Sequence, residues 1–456
     1  MLYERMVARE RHGTPVRIGL IGIGTFGSQI AAQIRHMPGM RLAAIADLRV
    51  EAAAAVLGAG ADDEPLRASS ADQVADAVAA GTPVVTADAG ALIDSPVDIV
   101  IEATGLVEVG VRHAYRAILA RKHLAMVTVE ADVLVGYHLR RLAQAAGVIY
   151  SLAYGDEPAL AAELCDWART LGFRLVAAGK GTRFTQSFRK MNPDDVPGVY
   201  GFTGKDYNAQ MFGSFLDGTK HSIEVVALAN MTGLQPDVRG LHFPTADLRE
   251  IPDVLASKEK GGILNREGVV EAVSAIHPDD TFVERSIRGG LFAVIDGPTR
   301  EVNESLASYG DITGMIIGKR SGYAMIYRPQ HFVGHEMPLG LARMAVLGDD
   351  VGAPVCRAAD VVAAAKRPLR AGETLDGEGG YTVYGMAERH EAARAENLVP
   401  MALTHGAVAR TDIAEDEMIT FDNVEIPPSL SLSLWQVQEQ QDALSSSPID
   451  GTRGDL

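Results

Sequence analysis

Three glycines near the N-terminus have the spacing of a turn that binds a dinucleotide. The segment Gly22–Gly27 follows an apolar stretch, 16–21, and precedes apolar residues at helical spacing over 26–36. In this context the first glycine permits a tight turn, the second lets the backbone approach a pyrophosphate, and the third lets helix and strand pack closely. The helix N-terminus then faces the anion. The residues predicted to bind the cofactor here are Gly22, Gly24, Thr25, Phe26 and Gly27.

A carboxylate and a guanidinium follow the next apolar segment. Asp47 ends the strand predicted over 41–46, at the position where a carboxylate would bond the adenosine ribose hydroxyls. Asp47 alone favours NAD over NADP, because a carboxylate repels a ribose 2′-phosphate. The Arg49 guanidinium could bond such a phosphate. The sequence therefore leaves both NAD and NADP open.

Two further segments are expected at the carboxyl edge of the same sheet. The tripeptide Ala103-Thr104-Gly105 leaves the strand predicted over 97–101, where ligands bind in open α/β sheets, and should border the nicotinamide half of the cofactor. The strand predicted over 124–127 delivers Glu130 to this edge. Glu130 is either a site residue or a helix N-terminal carboxylate favoured by the helix dipole.

The middle of the chain carries cations in an otherwise acidic protein. A glycine-rich segment, 179–183, reads as a loop after a strand at 173–178 and presents Lys180 and Arg183. Such a loop can hold a carboxylate or phosphate, although exposed lysines are also common in turns. A third cationic group lies on either side of a strand predicted over 323–326. Its members, predicted to bind substrate together with Arg183, are Lys319, Arg320, Arg328 and His331.

A helix beginning near residue 219 carries further candidates. Asp217 is a plausible N-cap, and Lys220 and Glu224 share one face of the helix. The two could form a solvated i,i+4 pair, or Lys220 could act as a substrate-binding cation or proton donor. Asp156 precedes a helix opened by Pro158.

His331 and His335 have the spacing of two metal ligands on a helix. Pro329 and Gly334 argue against a helix here, so no zinc site is predicted. The two cysteines, Cys165 and Cys356, are too few for a disulfide framework or thiolate metal site, and we expect them to pack as small apolar side chains.

The chain has 456 residues, of which 47% are hydrophobic and 22% charged, as in a globular protein of about three domains. A net charge of −17 argues against a nucleic-acid partner. The charged N-terminal segment lacks the apolar core of a signal peptide, and no segment is long and apolar enough to span a bilayer. We therefore expect a cytoplasmic protein with a small-molecule partner.

Strand and helix patterns divide the chain into four parts. The expected fold class is α/β, with an N-terminal Rossmann doubly wound parallel sheet over 1–152. A central α+β catalytic domain follows over 153–354, and a small β-rich domain over 355–435. Within the last, residues 359–364 read as a helical run. The polar residues 436–456 are expected to be disordered.

Several of these segments together resemble the deoxyxylulose phosphate reductoisomerase-like family, which is related to homoserine dehydrogenases and carries a C-terminal SAF domain. The likeness extends from about residue 14 to about residue 430. The segments that carry it are the glycine turn, 102–105, 154–160, 178–182, 214–220, 370–373 and 406–408.

The resemblance implies a nicotinamide-dependent oxidoreductase that acts on a small polyhydroxylated sugar phosphate or sugar acid. Some relatives couple reduction to isomerisation of a sugar phosphate, and others act oxidatively on apionate. Homoserine oxidation is not expected, because Ala131 stands where the homoserine enzymes carry a lysine. The helix with Asp217, Lys220 and Glu224 looks similar to the catalytic Asp and Lys helix of those enzymes. The family also suggests a homodimer.

The reaction would place charge on a carbonyl oxygen, which Lys180 or Lys220 would stabilise. Asp156, Glu130 or Glu224 would remove a hydroxyl proton. A divalent cation, Mg²⁺ or Mn²⁺, could chelate adjacent oxygens, although no motif indicates a ligand set for it. The alternative function is a non-catalytic nucleotide- or sugar-binding sensor.

Overall fold

The computed structural model describes residues 1–60, 64–202 and 207–446, and the chain begins with a seven-stranded sheet. All neighbouring strands pair in parallel in the order β3-β4-β2-β1-β5-β6-β7. The strands are β1 (Val16–Ile21), β2 (Met40–Ala46), β3 (Leu66–Arg67), β4 (Val84–Thr86), β5 (Ile99–Glu102), β6 (His123–Met126) and β7 (Tyr150–Leu152).

Helices cover both faces of this sheet. The helices are α1 (Leu2–Arg11), α2 (Thr25–Ile34), α3 (Val50–Gly58), α4 (Ala71–Ala80), α5 (Ala89–Asp94), α6 (Val107–Leu119) and α7 (Val129–Ala146). Apolar residues of α1 to α3 pack into one core, and those of α4 to α7 into a second. The doubly wound parallel sheet predicted from the alternating pattern is confirmed.

A second, mixed sheet of six strands follows in the order β12-β13-β11-β8-β10-β9. Its strands are β8 (Arg174–Thr182), β9 (Gln235–Pro236), β10 (Val269–Ser274), β11 (Leu291–Asp296), β12 (Ile316–Ile317) and β13 (Ala324–Arg328). The helices of this part are α8 (Glu157–Thr170), α9 (Val196–Tyr200), α10 (Ala209–Leu216), α11 (Thr219–Thr232), α12 (Ile251–Val254), α13 (Arg300–Thr313) and α14 (Val333–Leu347). Helix α14 returns to the first sheet and packs against α2.

The C-terminal part contains two short antiparallel sheets, β14 (Ala359–Ala365) with β15 (Val383–Arg389), and β16 (Val408–Ala409) with β17 (Val424–Glu425). It also contains helix α15 (His390–Ala395). The prediction of a helix at 359–364 is wrong. Alanine favours helix locally, but pairing with β15 and packing against α11 override that preference.

Helix α16 (Leu430–Ser446) corrects a second expectation, that residues from 436 onward are disordered. The buried Gln438 side chain accepts a hydrogen bond from His138 N at 2.9 Å and donates one to Leu134 O at 3.1 Å, which docks α16 on α7. Residues 447–456, also part of that expectation, lie outside the described residues. Within the described ranges, no helix is both long and apolar enough to cross a membrane.

Candidate functional site

The glycine turn lies between β1 and α2 and leaves space at the helix N-terminus. Gly22 has φ +95°, and a Cβ there would lie 2.6 Å from Ala103 O. A Cβ at Gly27 would lie 2.1 Å from Gly22 O, so both positions need glycine. Gly24, the N-cap of α2, is exposed, and a Cβ there would meet nothing within 4 Å. The first backbone N–H groups of α2 therefore face a space that an anion can enter.

Asp47 is held beside this turn at the end of β2. Its carboxylate accepts hydrogen bonds from Ile23 N at 2.9 Å and from Arg49 N at 2.8 Å. The Arg49 side chain is 66% exposed, and its Nε lies 3.4 Å from Asp47 Oδ1. The pair thus offers a fixed carboxylate for a ribose and a mobile guanidinium that can reach a 2′-phosphate.

The loop that contains Ala103, Thr104 and Gly105 is fixed by a buried carboxylate that the sequence analysis did not assign to the site. Glu102 accepts hydrogen bonds from Thr104 N at 3.1 Å and from the Thr128 hydroxyl at 2.5 Å. The same hydroxyl accepts a hydrogen bond from Gly105 N at 3.1 Å. The loop is therefore anchored at the carboxyl edge of the first sheet, near the start of α7.

Lys180 lies in β8, because the segment 179–183, expected to be a loop, belongs largely to a central strand. A Cβ at Gly179 would lie 1.7 Å from Glu271 O, and one at Gly181 would lie 2.1 Å from Ile287 O. These glycines therefore serve close strand packing instead of loop flexibility. Lys180 is buried and forms ion pairs with Glu157 of α8 and Glu224 of α11.

Burial and neighbouring charges shift the pKa values of Lys180, Glu157 and Glu224 by different amounts and in different directions. Burial raises the pKa of Glu157 well above its ordinary value, and nearby Glu224 raises it further. Burial also opposes ionisation of Glu224, but Lys180, His221 and Lys220 together lower its pKa well below the ordinary value. Burial lowers the pKa of Lys180, yet the two glutamates raise it overall. The cluster therefore holds a Lys180 ammonium and a Glu224 carboxylate at neutral pH, and Glu157 keeps its proton to a higher pH than an ordinary glutamate does.

A second ion pair lies beside this cluster, at the edge of the first sheet. Lys220 of α11 contacts Glu130 at the start of α7 and does not pair with Glu224. Burial lowers the pKa of Lys220, but Glu130, Glu224 and other carboxylates outweigh this effect and raise it. Burial and Glu224 raise the pKa of Asp156, whose carboxylate accepts a hydrogen bond from Glu157 N at 2.9 Å. Glu130, Asp156, Lys180, Lys220 and Glu224 thus form one charged cluster.

The fold brings three of the predicted substrate-binding residues near this cluster. His331 Nδ1 lies 3.0 Å from Gly289 O and 3.7 Å from Glu157 Oε1. Arg328 and Lys180 both lie opposite Leu291 in the second sheet, although Arg328 also pairs with Glu336 of α14. Arg183, one residue beyond β8, makes a bidentate ion pair with Asp280 at 2.8 and 3.0 Å.

Three predicted site residues lie elsewhere. Lys319 and Arg320 are exposed in a turn at the opposite end of the second sheet, where their backbone N–H groups donate to Asp253, each at 2.9 Å. Asp217 is fully buried, and Gly218 is the N-cap of α11 in its place. The Asp217 carboxylate pairs at 2.8 Å with Lys366, so its structural role is to join α11 to the C-terminal part.

The structure adds a cation that the sequence analysis did not single out. Arg288 forms a backbone bridge with Gly181, next to Lys180, and its guanidinium lies 4.8 Å from the centre of the Phe282 ring. Within the described part of the chain, it has no carboxylate at ion-pair distance. Burial raises the pKa of Tyr200, while the charges of Arg183, Arg288 and Lys180 lower it, so the three cations lie near enough to act on the Tyr200 phenol. The only sequence signal was the pair of glycines that follows Arg288.

Among the described residues, the side chains that could bind a metal ion or react as a thiol are few. Across residues 1–60, 64–202 and 207–446, no group of three or more His, Cys, Asp or Glu residues could hold a metal ion. His331 precedes α14 and His335 lies within it, so the two do not share a helix. Burial raises the pKa of the Cys165 thiol to about 12, which leaves it unreactive at neutral pH.

Comparisons with solved structures give only a weak overall likeness. A probable dehydrogenase from Thermotoga maritima is 14% identical (TM-score 0.38; 75% of this chain, 90% of that chain). The scyllo-inositol dehydrogenase from Lactobacillus casei, with bound NAD(H) and scyllo-inositol, is 16% identical, with a TM-score of 0.36. The match covers 75% of this chain and 92% of that chain. A homoserine dehydrogenase from Thiobacillus denitrificans is 19% identical, with a TM-score of 0.33. The match covers 48% of this chain and 49% of that chain. Likeness at this level supports no argument about function.

Comparison with family models is more informative, whereas the comparison with curated proteins gives no match. Residues 360–425 match the model of the SAF domain. Residues 155–337 match the model described as the catalytic domain of oxidoreductase DRL, and these residues include Asp156, Lys180, Lys220 and Glu224. The charged cluster thus lies largely within a region similar to an oxidoreductase catalytic domain, which a SAF domain follows.

Proposed function

We propose that this protein is a nicotinamide-dependent oxidoreductase, using NADP or NAD, that acts on a small polyhydroxylated sugar phosphate or sugar acid. The observation that carries the proposal is the buried cluster of Lys180, Glu157 and Glu224 beside the Lys220–Glu130 pair. This cluster adjoins the edge of the first sheet at which the glycine turn and the loop at Ala103 also lie. A hydride donor held at that edge would therefore face two ammonium groups.

The residues at the turn fit a dinucleotide. Gly24 leaves room for a pyrophosphate at the N-terminus of α2, and Asp47 offers a carboxylate to a ribose. The nicotinamide, when bound, supplies or accepts a hydride. Lys220 is the nearer of the two lysines to the first sheet through its contact with Glu130, and its ammonium would stabilise negative charge on the substrate oxygen.

Proton transfer falls to the carboxyl groups around Lys180. Glu157 and Asp156 both have raised pKa values, chiefly because they are buried. A carboxyl group with a raised pKa can donate a proton and take one back. Glu224 is ionised and next to both lysines, so it holds their positive charges in place. Glu130 forms an ion pair with Lys220 and so also helps to hold the Lys220 ammonium in place.

The cations near Tyr200 suit an anionic substrate. Arg288 is free of a carboxylate partner among the described residues, and Arg183 and Arg328 lie nearby with partners they could exchange. A guanidinium can bind a phosphate or carboxylate through two parallel hydrogen bonds. Arg288 is therefore our first choice to hold the anionic end of the substrate.

Within this class we favour either reductive isomerisation of the deoxyxylulose phosphate type or oxidative isomerisation of the apionate type. Homoserine oxidation is less favoured because Ala131 replaces a lysine. An isomerisation would require proton removal from a hydroxyl group, for which the carboxylates are at hand. A divalent cation, a homodimeric state and a cytoplasmic location remain predictions. Loss of activity on addition of EDTA would test the cation, light scattering the homodimer, and cell fractionation the location.

The first experiment is a fluorescence titration of the purified protein with NADPH and NADH, followed by addition of deoxyxylulose phosphate, apionate or homoserine. We expect one nucleotide to bind and one of the first two substrates to change its redox state. Lys180→Met should abolish turnover but keep nucleotide binding, whereas Lys258→Met, at an exposed lysine, should change neither. Binding without redox change for any substrate would favour the non-catalytic sensor. Absence of nucleotide binding would refute the oxidoreductase and would also favour the alternative, as a sugar-binding sensor.

A further inference from the structure

The SAF domain contributes one carboxyl group to the charged cluster. Glu378 lies in the loop between β14 and β15, and its carboxyl is close enough to Glu130 and Lys220 for their charges to act on it. Ser214, at the end of α10, lies close enough to the Glu378 carboxyl to lower its pKa. Glu130 and Glu378 also line one cavity of about 10 Å³, the space of a single water molecule, between α7, α11 and the SAF domain.

The loop that carries Glu378 is held by hydrogen bonds and by close packing against α10. The Asp376 carboxylate accepts hydrogen bonds from Tyr381 N at 2.6 Å and Thr382 N at 3.1 Å, which closes the loop on itself. Gln210 Nε2 of α10 donates to Asp376 O at 3.0 Å. A Cβ at Gly379 would lie only 1.9 Å from Gln210 O. The backbone of the loop is therefore pressed directly against α10.

A buried lysine ties the same loop to the start of the helix that carries Lys220. Lys366 Nζ donates to Gly380 O at 2.7 Å, to Asp217 Oδ2 at 2.8 Å and to Met191 O at 2.9 Å. Asp217 lies two residues before the first residue of α11. Displacement of the loop would remove Gly380 O from the buried Lys366 ammonium, and losing a hydrogen bond to a buried charge is unfavourable.

We propose that Glu378 is a positioning residue, supplied by the SAF domain, that controls the charge around Lys220 and Glu130. The SAF domain is then part of the active site instead of an appended module. The proposal rests on the proposed function in one respect, because the task of Lys220 there is to stabilise charge on the substrate oxygen.

Burial raises the pKa of Glu378 to about 8, and Glu130 raises it while Lys220 lowers it. The charged groups that face Glu378 are Glu130 of α7, Lys220 of α11, Asp217 before α11 and, across the cavity, Asp360 of β14. Below pH 8 Glu378 is neutral. Above pH 8 it adds a negative charge beside Lys220, so the ammonium stabilises a developing alkoxide less well.

One test needs no substrate. Because the pKa of folded Glu378 lies above that of an unfolded glutamate, its contribution to stability is complete below pH 4 and is lost as the pH rises towards 8. Between pH 5 and 7.5, the folding equilibrium constant of the wild type should therefore fall by up to tenfold per pH unit relative to that of Glu378→Gln. Parallel pH profiles for the two proteins would overturn the proposal, whether or not the protein turns over any substrate.

The second test uses the reaction itself. In the reductive direction, the wild-type kcat should fall above about pH 8 with a single-proton limb, which Glu378→Gln should lose and Glu378→Asp should retain. Lys366→Met should shift or remove this limb. Lys190→Met is the control, because Lys190 is partly exposed and contacts Asp416 of the SAF domain; it should leave the limb unchanged. An unaltered limb in Glu378→Gln would overturn the proposal even if Lys366→Met does not fold. Failure of the proposed function would appear separately, as absence of nucleotide binding in the wild type.

Discussion

Gly27→Ala should chiefly lower thermal stability and Gly24→Ala should chiefly lower nucleotide affinity, although both residues belong to one turn. A Cβ at Gly27 would lie 2.1 Å from Gly22 O, so the turn or α2 must shift by about 1 Å to reach ordinary contact. Such overpacking typically costs about 1–3 kcal/mol. At roughly 2–4 °C per kcal/mol for a domain of this size, Gly27→Ala should lower the melting temperature by several degrees.

Gly24→Ala meets no neighbouring atom within 4 Å, and its φ of −60° suits alanine. Its cost is that of a poorer N-cap, less than about 1 kcal/mol. The added methyl group projects into the space at the N-terminus of α2, so nucleotide affinity should fall at least about tenfold, equivalent to about 1.4 kcal/mol.

The assay combines thermal unfolding without nucleotide and fluorescence titration with NADH and NADPH. Gly198→Ala is the matched control, because a Cβ there also meets nothing within 4 Å and Gly198 lies in α9, away from the turn. It should leave nucleotide affinity unchanged and should not lower the melting temperature, because alanine favours a helix more than glycine does. If Gly24→Ala binds both nucleotides as tightly as the wild type, the turn does not hold a pyrophosphate and the assignment of the cofactor site is wrong.

Three further predictions concern single side chains. Burial lowers the pKa of His221 to about 4. Between pH 6.5 and 4, the unfolding free energy of the wild type should therefore fall by about 3 kcal/mol relative to that of His221→Gln, as denaturation of both proteins can measure. Equal pH slopes for the two proteins would contradict this. Arg288→Ala should raise KM for the anionic substrate at least about tenfold, with little change in kcat. The control Arg285→Ala should leave KM unchanged. If Arg288→Ala has the same KM as the wild type, Arg288 does not bind the substrate. Gln438→Ala should cost about 1–3 kcal/mol in urea unfolding, and no loss would mean that α16 is not docked.

The first sheet and its glycine turn could be predicted because their signals are local. An apolar strand, a glycine turn and an amphipathic helix follow one another within the segment 16–34, and each element is specified by its own residues. The strand β14 could not be predicted in this way. Its alanines and valines have no clear periodicity, and only pairing with β15 and contact with α11 make the segment a strand. Helix α16 likewise depends on its contacts with α6 and α7.

The sequence by itself determined which residue types were available for chemistry and where the cofactor turn lies. Only the tertiary structure decided which charges meet. Lys180 of β8 is joined to Glu157 and Glu224 from two different helices, and Lys220 meets Glu130, which is 90 residues away in the chain. A buried charge must find a partner, and that partner is set by the packing of sheets and helices rather than by neighbouring residues. For the same reason Lys319 and Arg320, similar to Arg328 in charge and near it in sequence, lie at the opposite end of the sheet.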